Sequence, residues 1–124
     1  MTEKTLHKQV CQYLRLQYPN VLFNSDLAGS NILTIGQAVQ LKTLRSNRGF
    51  PDITIYEPRR GFHGLFIELK KEGIRLYKKD GVTPVDDHIT EQLQVIKLLT
   101  ERMYYASVCI GFDNAKFIID EYLK

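Results

Sequence analysis

Residues 48–73, RGFPDITIYEPRRGFHGLFIELKKEG, place two carboxylates and an amine at the ends of strand-like runs, as Asp52, Glu68 and Lys70. Charges there are costly unless they do something. Alternation along 65–70 sends Leu65, Ile67 and Leu69 to one face and Phe66, Glu68 and Lys70 to the other. In the preceding run Ile53 and Ile55 share a face, leaving Asp52, Thr54 and Tyr56 opposite. A hairpin centred near residues 60–61 pairs Asp52 with Glu68 or Lys70, and either register gathers all three on one face. Cross-strand Cβ atoms lie about 4.5–5.5 Å apart. Two carboxylates that close repel unless a cation lies between them or one holds a proton.

Mg2+ or Mn2+ fits such a pair, being hard, oxygen-liganded and content with one or two carboxylates plus waters and phosphate. The backbone carbonyl of Leu69, between Glu68 and Lys70, offers a further ligand. Lys70 is placed to orient or deprotonate an attacking water, or to hold phosphate charge. A metal there would polarise a phosphoryl oxygen and acidify that water. The bland alternative is a structural ion pair of Lys70 with Glu68 or Asp52, which leaves one carboxylate unpaired.

The surrounding elements must hold these groups. Residues 3–17 carry Leu6, Val10, Tyr13, Leu14 and Gln17 at helical spacing and end at Pro19. Val21–Phe23 reads as a short strand running into the turn-rich SDLAGSN, and residues 35–46 as a second helix with Ile35, Val39 and Leu41 or Leu44 apolar. Ile53–Tyr56 and Leu65–Lys70 form the hairpin around a loop holding Pro58, Gly61 and Gly64. Residues 72–87 read as a mobile loop beside the site. A helix over 88–103 follows, with Ile89, Leu93, Ile96, Leu99 and Met103 on one face. A buried strand over 107–112 and a terminal helix capped by Asp113 complete the order α-β-(α)-β-β-α-β-α. This predicts an α/β fold with a small mixed sheet flanked by helices.

At 124 residues the chain makes one domain, residues 1–124, with 44% hydrophobic and 25% charged residues. No apolar run reaches membrane-spanning length and the N-terminus lacks an apolar signal core, so neither membrane nor export is expected. Cys11 and Cys109 have no nearby ligand partners and read as reduced core thiols of a cytoplasmic protein. Net charge is only +3, but residues 1–80 hold 13 Lys/Arg against 7 Asp/Glu, and residues 81–124 hold 4 against 7. Lys42, Arg45, Arg48, Arg59, Arg60, Lys70, Lys71, Arg75, Lys78 and Lys79 gather around the quoted stretch as a candidate phosphate footprint. A merely solvated surface explains charge of this kind equally well.

Pro51-Asp52 followed by Glu68-Leu69-Lys70 resembles the PD-(D/E)xK nuclease superfamily. Within it, Arg48-Gly49-Phe50-Pro51-Asp52 and Phe66-Ile67-Glu68-Leu69-Lys70 resemble the two central motifs of the virus-type replication-repair nuclease (VRR-NUC) family. Thr90-Glu91-Gln92 at a helix start resembles a third element, in which a glutamine lies near the metal, and Glu3 matches a glutamate early in the first helix. His7 departs from the pattern, since many members carry glutamine there. Glu3, His7, Val10 and Leu14 fall on one helical stripe.

The resemblance implies a restriction-endonuclease-like αβββαβ core and a metal-dependent DNA endonuclease. It implies catalytic Asp52, Glu68, Lys70 and Gln92, and metal ligands Asp52, Glu68, Leu69 and Glu3; the charge distribution adds DNA contacts at Arg48, Lys71, Arg75, Lys78 and Lys79. Stand-alone members this short resemble homodimeric enzymes of branched DNA such as four-way (Holliday) junctions, many of them phage- or prophage-encoded. The segment 29–47 is then the place for dimer contacts or DNA shape reading. A restriction-like, nicking or flap endonuclease and a non-catalytic DNA-binding module remain the alternatives. His63 and His88 receive no role.

Overall fold

The computed structural model describes residues 1–26 and 34–124. Residues 27–31 of the turn-rich SDLAGSN stretch and residues 29–33 of the segment assigned to dimer or DNA contacts lie outside the described residues. In chain order the elements are α1 (Glu3–Gln17), β1 (Phe23–Ser25), α2 (Ile35–Thr43), β2 (Ile53–Ile55), β3 (Leu65–Lys70), α3 (Asp87–Glu101), β4 (Tyr105–Ile110) and α4 (Phe112–Leu123). The four strands form one sheet in that spatial order, antiparallel through β3 and parallel between β3 and β4. The expected mixed sheet with flanking helices is the one observed.

The hairpin register pairs Ile53 with Ile67 and Ile55 with Leu65. The inward row of Ile53, Ile55, Leu65, Ile67 and Leu69 joins Leu6, Val10 and Leu14 of α1 and Ala115, Ile119, Tyr122 and Leu123 of α4 in one apolar cluster. Truncating Ile67 to alanine there would cost roughly 2–5 kcal/mol. The α3 residues Ile89, Val95 and Leu99 are buried but lie outside that cluster. As the crossover between parallel β3 and β4, α3 covers the other face, where Phe66, Glu68 and Lys70 point.

Several boundaries differ from expectation. β1 starts at Phe23 because Val21 still closes the end of α1, donating to the Tyr18 carbonyl. β4 begins two residues early, since Tyr105 enters the parallel ladder opposite Leu65. A shift of two preserves which side chains face inward. The strand stops at Gly111, whose φ of 82° no chiral residue adopts cheaply, and Gly111 is itself the N-cap of α4. Asp113 is therefore not the cap; it lies in the first turn, where its charge complements the helix dipole.

Residues 72–87, expected as a mobile loop, are tied across a turn by hydrogen bonds. Lys78 donates to the Thr83 carbonyl at 2.7 Å and Val85 to Leu76 at 2.9 Å, while the Asp80 carboxylate accepts from the backbone of Val82 and Thr83. The Asp-Gly turn supplies both the acceptor and the positive φ that such a tight connection requires. α2 forms through a capping box between Thr34 and Gln37, but none of its residues is buried. Ile35, 86% exposed, and Val39 face outward rather than into the core, while Leu41 is half-buried.

Candidate active site

Asp52 sits one residue before β2, at the open end of the hairpin and in register with Glu68. Its Oδ2 accepts from the backbone N–H of Leu69 at 2.8 Å, so the carboxylate crosses to β3 between Glu68 and Lys70. A strand residue directs its N–H and C=O to the same edge, so the Leu69 carbonyl faces the Asp52 side, beyond the last β2–β3 pair. The Leu69 side chain meanwhile stays in the core.

Glu68 is 3% exposed and Lys70 6%, both deeply buried for charged residues. Lys70 Nζ stands 3.7 Å from Glu68 Oε2, a loose ion pair, and no protein donor reaches Glu68 Oε1. Burial pushes the Glu68 carboxyl up to about 10; the charge of Asp52 and a hydrogen bond shared with it push the same way, Lys70 opposes, and Glu3 adds a smaller upward push. Two carboxyls in such contact hold a proton between them unless a cation replaces it. The arrangement is primed for a hard cation.

The donor set fits a divalent metal of that kind: two carboxylates, one of them with a buried oxygen that lacks a partner, and a backbone carbonyl. Among the described residues no three of His, Cys, Asp or Glu converge into a complete cage. Water and substrate phosphate would complete the shell, the habit of Mg2+ and Mn2+. Glu3, in the first turn of α1, is exposed rather than on the buried stripe, which runs through Leu6, Val10 and Leu14. Its charge adds only the smallest upward push on Glu68, and it does not join Asp52 and Glu68 in a three-carboxylate group. His7, half-buried, carries a buried Nε2 without a partner.

Gln92 projects from α3 and is 6% exposed, its Oε1 buried and unpartnered. The Arg48–Asp52 segment is locked against it. Gly49 has φ 86°, and a Cβ there would fall 2.7–2.8 Å from the backbone of Glu91 and Gln92. Glycine is required at that position by conformation and by space together. Sequence reasoning missed His88, whose Nε2 lies 3.2 Å from the Gln92 amide nitrogen. The i, i+4 spacing of His88 and Gln92 was the signal available.

The basic footprint divides. Arg48, Lys71, Arg75, Lys78 and Lys79 are all exposed. Arg48 lines a cavity of about 540 Å3 between α2 and α3 with Lys42, Arg45 and His88. Arg45 is engaged with Asp26 at 2.5 Å, and Arg59 pairs with Glu57. Arg59 and Arg60 lie at the turn end of the hairpin, away from Asp52, and Lys70 is interior. These leave the expected footprint.

No protein-family model and no curated protein matches the sequence. A solved structure described as a "VRR_NUC domain protein" shares the fold, with a TM-score of 0.70 at 23% identity, over 99% of this chain and 88% of its own. The fold that the motif resemblance implied is the fold of that structure. No helix among the described residues is long and apolar enough to cross a membrane.

Proposed function

We propose that this chain is a VRR-NUC-type nuclease: a Mg2+- or Mn2+-dependent endodeoxyribonuclease that hydrolyses phosphodiester bonds in branched DNA such as Holliday junctions. One observation carries the reading. Glu68 is buried with an unpartnered oxygen against Asp52, and Lys70 is close but not in firm contact, an arrangement that a structural ion pair would not leave incomplete. Asp52, Glu68 and the Leu69 carbonyl would hold the metal, with Glu3 approaching from α1. The bound ion supplies Lewis-acid polarisation of the phosphoryl oxygen and acidifies water. Lys70 balances developing negative charge and orients the nucleophile, while Gln92 Oε1 accepts a hydrogen from water beside it. The exposed Arg48, Lys71, Arg75, Lys78 and Lys79 bind backbone phosphates.

A two-fold dimer would offer two such sites to two strands of a junction. The outward apolar residues Ile35, Val39 and Leu44 on and beside α2 support an interface there. The two free thiols support a cytoplasmic location; a phage or prophage origin comes with the family resemblance alone.

The test is cleavage of an end-labelled four-way junction and a linear duplex of matching sequence, by wild type and Asp52→Asn, with Mg2+, Mn2+ or EDTA. Junction-only, metal-dependent cutting that Asp52→Asn abolishes is expected. Cutting of both substrates would retain the nuclease and discard branch selectivity in favour of a restriction-like or nicking enzyme. Binding without cutting would leave a DNA-binding module. Charge removal at Lys78 or Lys79 should lower the salt dependence of binding by about one unit per lost phosphate contact; an unchanged slope would exclude that lysine from the footprint.

A further inference from the structure

His88 and Gln92 stand one turn apart on α3, joined through His88 Nε2 and the Gln92 amide nitrogen at 3.2 Å. As the amide stands, its nitrogen donates and Nε2 of His88 accepts, with the ring hydrogen on Nδ1. That choice also determines the other end of the amide. With its nitrogen tied to His88, Gln92 leaves Oε1 buried and unpartnered on α3, the helix that covers the sheet face of Glu68 and Lys70. A reversed amide would present two N–H donors there instead. A water nucleophile needs an acceptor beside it, not competing donors.

Nothing in the packing of α3 calls for a histidine at position 88. Its side chain is exposed, and the helix is buried through Ile89, Gln92, Val95 and Leu99. Gly49 pressed against the backbone of Glu91 and Gln92 limits how far Gln92 can shift. The orientation of its amide is then what position 88 controls. The imidazole also lines the cavity with Lys42 and Arg48, the side from which DNA would approach.

We propose that His88 is a positioning residue: by accepting from the Gln92 amide nitrogen it decides which end of that amide faces the carboxylate site. The proposal rests on the nuclease reading for its kinetic consequence, but not for its structural one. Three variants separate the possibilities. His88→Gln keeps an acceptor, His88→Ala removes it, and His88→Lys offers only donors and so favours the reversed amide. The exposed position makes all three compatible with the fold, which melting curves would verify.

With junction DNA, kcat should stay near wild type in His88→Gln and fall about three- to tenfold in His88→Ala, the worth of one net hydrogen bond. It should fall further in His88→Lys, with KM unchanged in the first two. Independently, in metal-free protein, the 15N side-chain resonance of Gln92, assigned by its loss in Gln92→Leu, should move in His88→Ala and His88→Lys and hold in His88→Gln. An amide resonance indifferent to His88→Ala, or kcat equally low in His88→Gln and His88→Lys, would overturn the proposal. Failure of wild type to cleave any DNA would strike the nuclease reading alone, and the amide resonance would still decide the role of His88.

Discussion

Two buried carboxylates, Asp120 and Glu68, face opposite circumstances in the same small fold. Asp120 is 9% exposed and accepts from the Tyr13 and Tyr18 hydroxyls at 2.6 Å each and from Lys116 at 2.9 Å. Burial alone would raise its pKa, but those three donors outweigh burial and hold it near 2. Glu68 is more deeply buried, has one loose cation and an oxygen with no donor, and is pushed the other way. Asp120 clasps α1 to α4 and has no unmet demand. Glu68 is kept by the fold in a state the fold does not satisfy, the feature on which the proposed metal site rests.

The largest effect should come from Glu68→Gln. Loss of the ligand charge should lower kcat by about 10^3-fold or more, several kcal/mol of transition-state stabilisation. In metal-free protein the same change should raise the melting temperature, because a strained carboxyl pair is relieved. A fall in melting temperature would place Glu68 with Asp120 as a structural group. Mn2+ should raise the melting temperature of wild type and leave that of Glu68→Gln unchanged.

Asp120→Ala should do the reverse. It should cost roughly 2–3 kcal/mol in urea unfolding, the scale of hydrogen bonds to a charged group, while the folded fraction cleaves normally. A selective loss of kcat would erase the distinction between the two regions.

The pH profiles of metal-free stability should also oppose one another. The folded pKa of Asp120 is depressed to about 2 from 3.8, so its contribution is complete above about 4 and is lost as pH falls toward 2. The folded pKa of Glu68 is raised to about 10 from 4.5, so its contribution is complete below 4.5 and declines as pH climbs toward 10. Chemical unfolding across that range should show the alkaline decline flattened in Glu68→Gln and the acid decline flattened in Asp120→Ala. Identical profiles in wild type and Glu68→Gln would contradict the raised pKa. The smallest effect belongs to Tyr13→Phe, which removes one of three donors to Asp120 and should cost about 1 kcal/mol with cleavage unaffected.

Much of the site was legible because strand alternation is a short-range rule. Which of residues 65–70 share a face follows from a period of two, and hairpin arithmetic around residue 60 paired Asp52 with Glu68 or Lys70, of which the observed register selects Glu68. The same logic survived errors in boundaries: shifting β4 by two residues changed its ends and not its faces. α2 was legible as a helix from the spacing of Ile35, Val39 and Leu41 or Leu44, yet that spacing revealed neither its capping box nor the direction of its apolar side chains. Periodicity says that a helix has a face, while only long-range packing says whether anything covers it.

What the sequence by itself determined is the local geometry of Asp52, Glu68 and Lys70, since neighbouring residues and one turn suffice to place them. Tertiary structure alone decided how those charges are treated. Two of the three donors to Asp120 come from Tyr13 and Tyr18, more than a hundred residues away, and α3 must dock beside the Arg48–Asp52 segment before Gly49 meets the backbone of Glu91 and Gln92. Burial, desolvation and an unmet hydrogen bond belong to the packed whole, because each depends on what surrounds a group from every side.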